Sequence, residues 1–126
     1  MKTTFISLSL LVLTCCSPSS VEDFRHEGES RCRALVLELK KIQTPEELHR
    51  AEPTLKKHFN SLVILMLEAK RFQQSLDDPE PIEALPHQAS IELKEELRRI
   101  YAFEGGREAI ERAQQEALEV LTQLNN

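Results

Sequence analysis

The sequence predicts an all-α protein: a small antiparallel bundle of three to four helices that follows an N-terminal signal segment. Three observations point there. The 126 residues include only three Gly and are rich in Leu, Glu, Lys, Arg and Gln, side chains that lose little freedom in a helix. Apolar residues recur every three or four positions in several separate stretches. Between those stretches lie helix-capping or Pro-rich segments, the punctuation expected between helices. A chain of this length is one domain with or without a processing segment. Its net charge of −5 and 5% aromatic content argue against nucleic-acid binding, which needs a basic face or stacking platforms.

The first stretch, MKTTFISLSLLVLTCC, has Lys2 and the amino terminus as a positive leader and an apolar run from Phe5 to Leu13, interrupted by Ser7 and Ser9. A bilayer core of ~30 Å needs about 20 apolar residues, so this run is an export signal and not a membrane-spanning helix. Ser17-Pro18-Ser19-Ser20 is a tether, since neither residue type propagates a helix. Residues 1–15 are therefore the expected signal, 16–28 the expected flexible tether and 29–126 the helical domain. Removal of the signal takes Lys2 with it and leaves the rest more acidic.

The first helix is expected from about Glu29 to Ile42, with Cys32, Leu35, Val36, Leu39 and Ile42 on one stripe. Residues 21–28 are polar and end in Gly28, so they belong with the tether. The second helix starts at Thr44-Pro45-Glu46-Glu47, where Thr44 caps, Pro45 takes the first helical position and Glu47 completes a capping box. Pro53 lacks a backbone donor and predicts a break near Glu52 or a kink, with the main helix running on to about Leu76. In that helix Leu55, Phe59, Leu62, Met66, Ala69 and Gln73 share a stripe, and Leu65, Phe72 and Leu76 its neighbour. The continuous run Leu62–Leu67 is apolar on nearly every side and predicts a central helix covered by others.

Asp77–Pro86 carries Pro79, Pro81 and Pro86 and is a connection. A third helix follows from about Ser90, with Leu93, Leu97, Ile100 and Tyr101 on one face. Gly105-Gly106 is either a tight turn or a flexible joint in a longer helix. From Arg107 to Leu124 the stripe Ile110, Ala113, Ala117, Val120, Leu121 and Leu124 completes the bundle. The Ala109, Ala113, Ala117 spacing permits close helix approach, either inside the bundle or between two copies.

Chemistry is sparse. Glu46 and His49 have the Glu-x-x-His spacing of di-iron bundles, but no second such pair follows, and Glu in a first helical turn is expected on dipole grounds. His26, His49, His58 and His87 are scattered. No phosphate loop or nucleophile elbow occurs, so no cofactor, metal site or catalytic residue is expected. Asp77 and Asp78 read as turn residues, and Arg98, Arg99 and Arg107 as a small basic patch offset by nearby Glu. Cys32 is a buried core residue, a disulfide partner or a free thiol whose pKa Arg31 and Arg33 lower if it is exposed.

Leu13-Thr14-Cys15-Cys16 resembles the lipobox of bacterial lipoproteins: Leu, two small residues, then Cys. The resemblance implies that Cys16 receives a diacylglycerol thioether, that signal peptidase II cuts before it and that its new amino group is acylated. Cys15 is the second choice, because that register puts bulky Leu13 at −2. With a Cys-Cys lipobox on a short acidic helical domain, the chain also faintly resembles small lipoproteins of chlamydiae. The resemblance implies an envelope lipoprotein bound to the membrane by its acyl chains; the empty search for catalytic motifs points to a non-enzymatic structural or protein-interaction role, with an envelope protein partner or as a homo-oligomer. Ser after the Cys implies the outer membrane over the inner in a diderm host. Two other functions are open: a carrier or chaperone for an apolar ligand lined by Leu62–Met66, and a Cys32-dependent redox protein.

Overall fold

The computed structural model describes residues 18–78 and 88–123. Four helices account for most of them: α1 (Val21–Lys40), α2 (Pro45–Gln74), α3 (Gln88–Tyr101) and α4 (Gly106–Gln123). The all-α bundle is as the periodicity requires. The signal segment, Cys15, Cys16, the prolines at 79, 81 and 86, His87 and Leu124 lie outside the described residues.

α1 begins eight residues before the expected Glu29, so residues 21–28 are helix and not tether. The cause is a cap that looked like spacer. Ser20 is extended and its hydroxyl accepts from the Asp23 backbone N–H at 3.1 Å. Glu22 and Asp23 then place negative charge in the first turn, where the helix dipole favours it. Gly28 does not break the helix; Phe24, one turn before it, is buried and meets Phe72 with ring centroids 5.3 Å apart. That contact, and the Arg31 guanidinium donating to the Ser61 carbonyl at 2.7 Å, fix α1 antiparallel to α2.

α2 starts as expected. The Thr44 hydroxyl accepts from Glu47 N–H at 3.1 Å, and the Glu47 carboxylate reaches back to the Gln43 N–H at 3.0 Å. The helix then runs unbroken through Pro53. Pro53 and His49, four residues earlier, are both exposed, so the His49 carbonyl that loses its partner faces water and no buried group is stranded.

Burial on α2 corrects two further expectations. Leu48, Leu55, Phe59, Val63 and Leu65 are buried, whereas Ile64 and Met66 are 51% and 57% exposed. Met66 therefore leaves the expected stripe and Val63 joins the core. The Leu62–Leu67 run is covered by α1 and α4 and bare on its remaining side. Leu76, expected on the helix, lies just beyond its Ser75 cap.

α2 is the central helix in contact terms, flanked by α1 on one side and α4 on the other, while α3 packs on α1. Leu35, Leu39, Ile42, Leu48, Leu55, Ile100 and Ile110 form the middle of one core, with Leu93, Leu97 and Tyr101 of α3 packed against it. Gly105-Gly106 is a tight turn. Gly105 has φ 70°, and Phe103 N–H donates to the Ile100 carbonyl at 3.0 Å before α4 begins. Gly106 is buried, and a Cβ there would collide with the Ile100 carbonyl oxygen.

Candidate functional site

The polar chemistry of the described residues gathers where helices meet. Along α2 and α4, Arg112 forks onto Glu52 at 2.6 and 3.3 Å, and one turn on Lys56 meets Glu116 at 2.8 Å. Both pairs join residues exactly in step along the two helices, so α4 runs parallel to α2. Ala109, Ala113 and Ala117 are buried beneath this seam, so their small side chains serve packing inside the bundle. The Arg112 guanidinium holds the Glu52 carboxyl below the usual carboxylate range. Lys56 does the same for Glu116, with help from the Asn60 side chain. Asn60 Oδ1 itself is enclosed with no protein partner.

A second tie closes the corner between α1 and α2. Arg99 of α3 donates to the Leu39 and Ile42 carbonyls, 2.7 Å each, and to Glu96 at 2.9 Å, with its guanidinium 5.6 Å from the Phe103 ring centre. The Leu39 carbonyl also accepts from the Ile42 N–H at 3.1 Å, and Ile42 lies just past the Lys41 C-cap, so Arg99 ties α3 to the closing turn of α1. The expected basic patch is thereby divided: Arg99 is tied to α1, Arg107 lies 4.7 Å over the Tyr101 ring, and Arg98 is exposed.

Cys32 is free and half-buried on α1. Burial pushes its thiol up from the ordinary value, which lowers the thiolate fraction at neutral pH and with it the nucleophilicity. Arg31 and Arg33 do not lower it, because they turn to Glu27 with Ser61 and to Glu29. His49 is exposed beside Glu52, and Glu46 is exposed in the opening turn. Among the described residues no group of three His, Cys, Asp or Glu is placed to hold a metal ion. Asp77 and Asp78 are exposed after α2, as expected of turn residues. With Ile64 and Met66 turned outward, Leu62–Met66 does not line one interior space. A shallow depression of about 720 Å³ runs along the outer face of α4 past Glu111, Gln115, Leu118 and Thr122.

The seam was missed in the sequence although its signal was present. Glu52 and Lys56 are spaced i,i+4, as are Arg112 and Glu116, with opposite charge order on two helices. The Arg99 tie had no such signal, since its partners on α1 are backbone carbonyls, which every residue carries.

These features define a four-helix protein in which Glu52–Arg112, Lys56–Glu116 and the Arg99 contacts join one helix to another. No family model, curated protein or solved structure matches the chain. Among the described residues no helix is long and apolar enough to cross a membrane.

Proposed function

We propose that the chain is a bacterial envelope lipoprotein, anchored through acyl chains on Cys16 and acting by binding or as a structural element without catalysis. The observation that carries this is Leu13-Thr14-Cys15-Cys16 at the end of the apolar leader. Supporting it, the polar groups brought together in the bundle are caps and interhelical ties, and its one described cysteine has its thiol pushed away from reactivity. Several acyl chains, each stabilised by ~0.8 kcal/mol per buried CH₂, make a durable anchor without a spanning helix. Ser17 after the Cys favours the outer membrane in a diderm cell.

Metabolic lipid labelling with intact-mass measurement tests the reading. The wild-type chain and Cys15→Ser are expected to carry lipid and Cys16→Ser to carry none. Lipid retained in Cys16→Ser moves the anchor to Cys15, and a wild-type chain without lipid removes the proposal.

A further inference from the structure

The folded chain starts very close to the proposed anchor. Ser19 is not spacer: its N–H and hydroxyl both donate to the Asp23 carboxylate, at 3.1 and 3.0 Å, while Ser20 caps the same turn. These bonds lower the Asp23 pKa, so the carboxylate stays charged, and the turn closed, to more acidic pH than an ordinary Asp allows. Only Ser17 and Pro18 separate Cys16 from this capped turn. Three residues of fully extended chain reach about 10 Å, a third of the ~30 Å length of α1.

One end of the bundle must therefore lie at the lipid surface. It is the end where the start of α1 meets the end of α2, as the Phe24–Phe72 contact shows. One turn further out on each helix are Val21, half-buried, and Leu76, 36% exposed just past the α2 cap. The charges beside them are mixed: Arg25 and Arg71 against Glu22, Asp23, Asp77 and Asp78. That mixture supplies no basic attraction, so the length of the connection sets the orientation and the apolar side chains take the contact.

We infer that the bundle stands end-on at the membrane, with Val21 and Leu76 against the headgroup region and the α1–α2 connection at Gln43 pointing away. This rests on the anchor reading above. It names a lipid surface as the occupant of that end and restricts a protein partner to the sides and the far end.

The chain has no Trp, so a single introduced one reports depth. Leu76→Trp and Gln43→Trp, both at exposed sites, would be produced as the lipidated full chain in phosphatidylcholine vesicles containing brominated lipid. Quenching at position 76 is expected to exceed that at 43 by at least about twofold, given the ~45 Å of α2 between the two positions. Ten Gly/Ser residues inserted between Ser17 and Pro18 are expected to erase the difference. Equal quenching in a chain whose mass shows lipid overturns the orientation alone. A chain without lipid overturns the anchor reading and the orientation with it.

Discussion

Replacing Arg99 with Met keeps the aliphatic stem and deletes the guanidinium that ties α3 to the closing turn of α1. Two hydrogen bonds of 2.7 Å to the Leu39 and Ile42 carbonyls are lost, with the Glu96 contact and the approach to Phe103. A bond to a charged group contributes about 1.5–3 kcal/mol in a dry setting. Here the Arg99 side chain is 34% exposed, so water replaces part of what is removed and each bond counts near or below the low end. The expected loss is about 2–3 kcal/mol, since two bonds go together. For a domain of roughly 100 residues, that lowers the melting temperature by about 10 °C or more.

Urea unfolding followed by helical circular dichroism measures it. The midpoint should fall by about 1–2 M with the slope unchanged, because the surface exposed on unfolding stays the same. Arg99→Lys keeps the charge but presents a point donor in place of a fork, so about half of the loss should remain. Arg98→Met is the control at an exposed site and should stay within ~0.5 kcal/mol of wild type. Arg99→Met unfolding within that same margin would refute the claim that Arg99 secures the end of α1.

Other substitutions separate the structural claims. Gly28→Ala should stabilise by about 0.5–1 kcal/mol, because α1 passes through it and the added Cβ meets Leu65 Cδ2 at an ordinary 3.8 Å; a lower melting temperature would mean that helix ends short of position 28. Gly106→Ala should cost more than about 2 kcal/mol through its collision with the Ile100 carbonyl, and Gly105→Ala, in open space at φ 70°, about 1–2. Asp23, Glu52 and Glu116 are held below their unfolded values, so their contributions are present above the ordinary carboxylate range and vanish as pH falls through the lower folded values. Urea midpoints should therefore drop from about pH 4.5 downward, less steeply in Glu52→Gln/Glu116→Gln; an identical acid limb in that variant would remove the seam from the explanation.

What was legible in the sequence was what neighbouring residues decide. Thr44-Pro45-Glu46-Glu47 specified a helix start because all its partners lie within four residues. The stripes of α1, α3 and α4 fell where spacing put them. Ser19-Ser20 was misread because the same residue types serve a spacer and a cap, and only the Asp23 carboxylate turning back distinguishes them. Pro53 left a break or a kink open, and the helix is not broken there because Pro53 and His49 lie on the exposed side. Burial of Leu62–Leu67 depends on whether a further neighbour covers the outer side, a fact of the whole bundle and not of the segment. Arg99 was invisible for the same reason: its value comes from carbonyls on another helix.

The corrected start of α1 also changes what kind of anchored protein the proposal describes. A tether of thirteen residues would let the bundle tumble and sample partners well away from the lipid; a three-residue connection does not. With Ser19 and Ser20 locked to Asp23, motion of the anchor is passed to α1, and the Phe24–Phe72 contact and the Arg31–Ser61 bond pass it to α2. The Glu52–Arg112 and Lys56–Glu116 pairs carry it on to α4. Under that proposal the bundle would move with its lipid, and its exposed apolar side chains on the flanks, Leu37, Ile64, Met66, Ile91 and Leu118, would be held at set heights above the surface. A partner recognising them must itself lie within a bundle's length of the membrane.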